Sequence, residues 1–162
     1  GAGGSLLFPL FSPLFTLLLP LPSYLGWPAS PAPRGGGALA ERLGASVTLI
    51  HVWDAEAVGA PPATLGWSAG QQQRLVESLR RHIDEGMEAA RAAIPAGVPV
   101  DVVVLEDSAP AEAIARYGEA NGYDLIVIST HGRTGVRRLF LGSVTEKVVR
   151  LARLPVLTVP AA

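Results

Sequence analysis

The sequence predicts an α/β domain in which parallel strands lie between two layers of helices. Short, almost continuous apolar runs recur along the chain, as is typical of strands that are covered on both faces of a parallel sheet. Segments with helical periodicity separate these runs, so crossover connections can return every strand to the same direction. A length of 162 residues is that of one domain. We therefore expect a three-layer open parallel sheet.

The predicted strands are the apolar and β-branched runs. Ser46 to Trp53 (SVTLIHVW) is rich in β-branched residues, and Leu125 to Ile128 is continuously apolar. Two further strands are expected at Val100 to Leu105 and at Val156 to Val159.

Helical segments lie between these strands. The longest, Gln71 to Ile94, has apolar residues three or four apart and charges on the other face, the pattern of an amphipathic helix that covers a sheet. Ser108 is the expected N-cap of a helix that stops at Asn121-Gly122. Gly37 to Leu43 is predicted to be the end of a helix, which Gly44 stops. The last helix is expected to have Ser143 as N-cap and Glu146 as its capping-box partner.

Residues 1–36 depart from this pattern. The stretch SLLFPLFSPLFTLLLPLPSYLGW has no charge, and four prolines interrupt it, which disfavours a transmembrane helix. No positively charged region precedes it, as a secretory signal requires. The following PAPRGGG is predicted to be a flexible connector. We interpret residues 1–36 as a disordered tail, an artefact or a mistranslated gene start in preference to a membrane anchor, and residues 37–162 as the domain.

Composition excludes several classes of function. Thirteen Lys and Arg against fourteen Asp and Glu give a net charge of -1, so no basic patch for nucleic acid is expected. The absence of cysteine excludes disulfides, thiolate catalysis and zinc–thiolate sites, and it fits a cytoplasmic location. The histidines show no metal-ligand spacing: we interpret His51 as a core residue of its strand and His82 as solvated.

A glycine-bearing loop follows the predicted strand Leu125 to Ile128. Gly132 and Gly142 bracket this loop, and the helix from Ser143 comes directly after it. A helix N-terminus offers N–H donors without intrahelical partners, so this arrangement suits an anion such as phosphate. The alternative, in which Gly132 and Gly135 only supply positive φ for a long loop, stays open.

The stretches STHGRTG, LGSVTEKV and PVLTV closely resemble the universal stress protein family, small α/β domains of which one branch binds ATP. That branch carries Gly-x-x-Gly, nine residues, and then Gly-Ser or Gly-Thr. Gly132, Gly142 and Ser143 match the later members of this pattern, and Ser129 replaces its first glycine. The resemblance extends from about residue 37 to residue 160. It implies a Rossmann-like fold of the adenine-nucleotide alpha hydrolase type, with strand order 3-2-1-4-5.

The resemblance also implies a site and a ligand. The ligand is ATP, with Mg²⁺ as its companion ion, and the alternative is a relative of this fold without a cofactor. On the adenosine side the resemblance points to Val52. The residues expected at the nucleotide or phosphate are Ser129, His131, Gly132, Arg133, Gly142, Ser143 and Val144.

The first strand of the family ends near an Asp that reaches the adenosine. Such a strand should lie near Thr16 to Ser23, and Thr16 to Pro20 imitates it, but no Asp or Glu occurs before Glu41. A shifted reading frame upstream of Gly37 and a divergent N-terminus both explain this departure.

Three hypotheses for the function remain. The first is a nucleotide-binding regulatory module that acts in the stress response through protein partners. The second is a dimeric interaction protein of the same fold that binds no nucleotide. The third is a slow ATP hydrolase, for which the sequence offers no catalytic residue, GxSxG elbow or Walker A lysine. In each case we expect a homodimer through the edge strand at residues 155–159, without nucleic acid or membrane as a partner.

Overall fold

The structure is a computed structural model and describes residues 14–18, 31–54, 66–129 and 143–159. These residues form five strands and four helices. In chain order they are β1 (Leu14–Leu18), α1 (Pro31–Leu43), β2 (Ser46–Trp53), α2 (Ala69–Ala92), β3 (Val100–Glu106), α3 (Pro110–Ala120), β4 (Leu125–Ser129), α4 (Ser143–Leu151) and β5 (Val156–Val159).

The five strands form one parallel sheet in the order β3-β2-β1-β4-β5, which confirms the predicted fold class and strand order. β1 lies in the middle, where the order along the chain reverses. Its residue Leu18 pairs with Ile50 of β2 on one side and with Ile128 of β4 on the other. The carboxyl ends of β1, β2 and β4 therefore lie together at one edge of the sheet.

Helices cover both faces of the sheet, so the domain has three layers. Helices α1 and α2 pack on one face of the sheet, and α3 and α4 pack on the other. Each pair of helices covers one apolar cluster. The first cluster includes Ala40, Leu49, Trp53, Ile83, Met87 and Val127, and the second includes Ile50, Val52, Ile114, Ile126, Ile128 and Val148. Alternate residues of β2 and β4 enter opposite clusters, as the period of two in a strand requires.

Helix α1 corrects one prediction. It begins at Pro31 and includes the whole of PAPRGGG, so the interpretation of that stretch as a flexible connector is wrong. Proline fits the first turn of a helix, but each glycine costs about 1 kcal/mol relative to alanine. Close packing offsets part of that cost, because Gly36 and Gly37 are buried. A Cβ on Gly37 would lie only 3.2 Å from Cγ2 of Ile94.

Two helix starts also differ from the predictions. The N-cap of α2 is Ser68, which forms a full capping box with Gln71. The N-cap of α3 is Ala109 and not Ser108, and α3 has no side-chain cap hydrogen bond. The carboxylate of Asp107 accepts the N–H of Ala109 itself at 2.8 Å, a local contact in the turn just before the helix.

The predicted ends of α1 and α3 are confirmed, whereas α2 ends at Ala92, two residues before the predicted Ile94. Helix α1 ends at Leu43, and Gly44 follows with a φ of 63°. Helix α3 ends at Ala120, and Gly122 follows with a φ of 69°. Both glycines have the left-handed conformation that stops helices and that other residues rarely adopt.

Candidate functional site

The candidate site lies at the carboxyl edge of the sheet, around the end of β1. Open parallel sheets bind ligands in the crevice that forms where the strand order reverses. In this sheet the reversal occurs at β1, between β2 and β4. The end of β4 and the first turn of α4 lie beside this reversal, on the side where the sequence predicts phosphate.

Ser129 is the last residue of β4 and is 5% exposed. Its carbonyl accepts a hydrogen bond of 2.8 Å from the hydroxyl of Thr145, which is 4% exposed and lies in the first turn of α4. This contact joins the strand before residues 130–142 to the helix after them. Ser129 replaces the first glycine of the Gly-x-x-Gly pattern. This residue is thus buried, and its main-chain carbonyl is hydrogen-bonded.

The first turn of α4 presents its N-terminal N–H groups at this edge. The helix already includes Ser143, so this residue lies in its first turn, and the prediction of Ser143 as N-cap of a capping box is wrong. Ser143 is exposed, whereas Val144 packs against the cluster of Ile126 and Ile128. Val148, fully buried, anchors the next turn. The N–H groups of a first helical turn have no carbonyl within the helix to bond, so they can bind an anion.

Val52, predicted on the adenosine side, lies near the end of β2 and pairs with Leu105 of β3. Its side chain is 3% exposed and belongs to the core cluster with Ile50 and Ile114. Whatever Val52 offers to a ligand at this edge must therefore come from its main chain. Its role stays a prediction.

Four of the predicted site residues lie outside the described residues. They are His131, Gly132, Arg133 and Gly142, and the alternative role of Gly135 falls there as well. Among the described ones, the fold brings Ser129, Ser143 and Val144 to the same edge of the sheet. Val52 reaches that edge from β2, on the other side of β1.

Sequence reasoning missed Thr145, whose hydroxyl makes the contact between β4 and α4. A signal for it was present, because Thr145 and Val148 are three residues apart and must share the buried face of α4. A threonine on that face needs a hydrogen-bond partner, since a buried hydroxyl without one is costly.

Charged pairs surround the carboxyl ends of β2 and β3. Arg80 of α2 forms an ion pair with Glu106, and its guanidinium lies 5.6 Å from the ring centroid of Trp53. Arg116 of α3 bonds Asp107 at 2.7 Å. The N–H of Ala109 and this guanidinium lower the pKa of Asp107 below its ordinary value of 3.8. Asp107 therefore serves α3 as an ionised carboxylate.

The structure confirms His51 as a core residue, whereas His82, predicted to be solvated, is only partly exposed and its Nε2 is buried. His51 is fully buried in β2, and His82 lies on α2 with a side chain 39% exposed, 4.0 Å from Glu85. Over residues 14–18, 31–54, 66–129 and 143–159, no three His, Cys, Asp or Glu side chains cluster as a metal site would require. The helices of these same ranges include none with the length and apolarity to cross a bilayer.

The fold defines a Rossmann-like α/β domain whose strand order reverses at β1. The chain belongs to the universal stress protein family, whose sequence profile matches residues 31–160. A universal stress protein of Methanocaldococcus jannaschii is 35% identical over 125 residues, which cover 75% of this chain and 68% of that protein. One of Thermus aquaticus is 34% identical over 123 residues, 75% of this chain and 82% of that protein.

Solved structures of the family share the fold. A universal stress protein of Archaeoglobus fulgidus in complex with dAMP superposes with a TM-score of 0.57 at 16% identity, covering 90% of this chain and 96% of the other. A universal stress protein in complex with cAMP superposes with a TM-score of 0.58 at 17% identity, covering 93% of this chain and 98% of the other. At these identities the likeness establishes the architecture.

Proposed function

We propose that this protein is a small regulatory module that binds a nucleotide through its phosphate groups at residues 129–144 and acts in the stress response through protein partners. The observation that carries this proposal is the hydrogen bond between Thr145 and Ser129, which holds the first turn of α4 at the reversal of the strand order. The ligands of two related structures, dAMP and cAMP, support adenine nucleotides as the class of ligand.

The phosphate end of the site consists of main-chain donors. The N–H groups of Ser143 and Val144 lie in the first turn of α4, where the helix dipole favours negative charge. Ser143 is exposed, so a phosphate can approach from solvent. ATP with Mg²⁺ and a nucleoside monophosphate both satisfy this requirement, because each presents phosphate oxygens as acceptors.

The side of the site that would hold the ribose and the base has fewer polar groups. No Asp or Glu precedes Glu41 in the chain, so the first strand supplies no carboxylate that could accept hydrogen bonds from a ribose. We therefore expect the phosphate groups to supply most of the binding energy and the adenine to add little selectivity.

Chemical-shift mapping tests where the nucleotide binds. The amide signals of Ser143 and Val144 should shift when ATP is added to isotope-labelled protein, and those of Ala111 and Ile114 should stay unchanged. These control residues lie in the first half of α3, which covers the same face of the sheet, and both are buried. Shifts in α3 without shifts in α4 would contradict the proposed location.

The alternative function is that of an interaction protein without a nucleotide. Ser129 stands where the ATP-binding branch has a glycine, and its burial favours this alternative. Exposed apolar side chains near the edge strand β5 favour it as well. Val149 of α4 is 46% exposed and Leu157 of β5 is 40% exposed.

We infer a homodimer through β5 for both functions. An edge strand offers unpaired main-chain groups to a second strand, and β5 is short and without charge. Val149 lies on the flank of α4 opposite Lys147, whose ammonium group approaches Glu112 of α3. It therefore faces away from α3, on the side of the β5 edge, where a second copy could cover it.

A further inference from the structure

A side-chain hydrogen bond between described residues joins β4 to α4. The hydroxyl of Thr145 donates to the carbonyl of Ser129 at 2.8 Å, and both residues are more than nine-tenths buried. The chain between them includes the predicted phosphate-binding residues. The position of α4 relative to β4 therefore depends on a defined contact at the edge where the ligand is expected.

The location of Thr145 in its helix makes this bond available. Inside a helix, a threonine hydroxyl commonly bonds the carbonyl three or four residues earlier. Thr145 is the third residue of α4, so those carbonyls would come from residues before the helix begins. Its hydroxyl can therefore reach a group outside the helix. The buried carbonyl at the end of β4 requires such a donor.

We propose that Thr145 is a positioning residue of the nucleotide site, an inference that rests on the proposed function. Val148 packs α4 against the sheet through apolar contacts, which have no preferred direction. The hydrogen bond is directional and sets the height of the first turn at the end of β4. It thereby holds the N–H groups of Ser143 and Val144 where a phosphate can meet them.

Three variants separate positioning from general stability. Thr145→Val keeps the shape of the side chain and removes the hydroxyl, and Thr145→Ser restores a hydroxyl. The matched control is Thr48→Val in β2. Thr48 is 2% exposed and accepts a hydrogen bond of 2.8 Å from the hydroxyl of Tyr123, so this change also removes a buried bond. Thr48 is not at the edge where the ligand is expected, because it pairs with Thr16, two positions before the carboxyl end of β1.

The first measurement is the Kd for ATP by calorimetry, beside the free energy of unfolding in urea. Thr145→Val should weaken binding about tenfold, the equivalent of roughly 1.4 kcal/mol, and Thr145→Ser should recover most of the loss. Thr48→Val should lower stability and leave the Kd unchanged. Equal Kd values for both valine variants would overturn the inference and leave the proposed function intact.

The second measurement needs no nucleotide. Trypsin cleaves after arginine, and Arg133, Arg137 and Arg138 lie between β4 and α4. Cleavage after these arginines should be faster in Thr145→Val than in Thr48→Val, because loss of the bond frees both ends of the interval. Equal rates would also overturn the inference. If the wild type binds no nucleotide, the proposed function fails. The cleavage rates alone then decide whether the bond from Thr145 holds α4 at the end of β4. If Thr145→Val does not fold, Thr145→Ala takes its place with the same expected results.

Discussion

Gly37 and Pro95 lie so close together that a Cβ on Gly37 would stand 3.0 Å from Cδ of Pro95. The Cα of Ile94 would be 3.3 Å from that Cβ. A proline ring and a backbone atom cannot shift far to make room for it. Helix α1 thus fits against the turn after α2 because residue 37 has no side chain. Gly35, two residues earlier, has more room, since the atom nearest to its added Cβ would be Cγ1 of Val159 at 3.4 Å.

These two glycines should respond in opposite ways to the same change. Gly35→Ala should raise the free energy of unfolding by up to about 1 kcal/mol, because alanine favours the helix more than glycine does. Gly37→Ala carries the same gain in propensity but should lower the free energy of unfolding, because overpacking costs about 1–3 kcal/mol. Urea unfolding curves of both variants measure the difference. A Gly37→Ala protein as stable as Gly35→Ala would contradict the close packing.

The contact of Asp107 with Ala109 and Arg116 predicts a dependence of stability on pH. The pKa of Asp107 is lowered in the folded state, first by the N–H of Ala109 and then by Arg116. The unfolded chain therefore binds this proton more readily. The stabilisation is present above the ordinary value of 3.8 and is lost as the pH falls through the folded pKa.

Asp107→Asn should consequently be less stable than the wild type near neutral pH and should lose less stability on acidification. Urea midpoints measured from neutral pH to about pH 2 test this. The matched control is Asp84→Asn, which removes an exposed carboxylate of α2 and should keep the acid dependence of the wild type. If Asp107→Asn and the wild type lose the same stability in acid, the contact does not act as described.

The fold was predictable because each apolar run has the length and composition of a buried strand. The strand order came from the family resemblance, and β2, β4 and β5 begin where the sequence predicts them. The start of α1 was not predictable from propensity. Three glycines favour a connector, and the close approach of Gly37 to Ile94 and Pro95 depends on residues almost sixty positions apart.

The candidate site was predictable only in part. The glycine spacing and the helix start at Ser143 identified the edge of the sheet, whereas the bond from Thr145 to Ser129 depends on how α4 lies against β4. The cap of α3 was misassigned for a similar reason. Ser108 is a good capping residue by type, but Asp107 bonds the N–H of Ala109 in the turn before α3, and the helix begins at Pro110 with Ala109 as its N-cap.

The homodimer through β5 predicts that a charge at its edge will separate the copies. Leu157→Lys places an ammonium group on a side chain that is 40% exposed and on the edge strand, so it should shift the protein towards monomer. The matched control is Val102→Lys on β3, the opposite edge strand, where the side chain is 37% exposed. It should leave the mass unchanged.

Sedimentation equilibrium at micromolar concentrations measures both masses. A wild type that sediments as a monomer would contradict the homodimer. If Val102→Lys dissociates the protein and Leu157→Lys does not, the interface lies at β3 instead.

The central claim is that residues 129–144 bind a nucleotide through its phosphate groups, and calorimetry with ATP, GTP and pyrophosphate tests it most directly. We expect all three to bind with affinities within about tenfold of one another, since a tenfold ratio corresponds to only ~1.4 kcal/mol of selectivity for the base. Gly132→Val should abolish binding, because a branched side chain would crowd the approach of the phosphate to the backbone. Absence of binding by the wild type would contradict the account, and strong selectivity for ATP would contradict its assignment of the binding energy to phosphate.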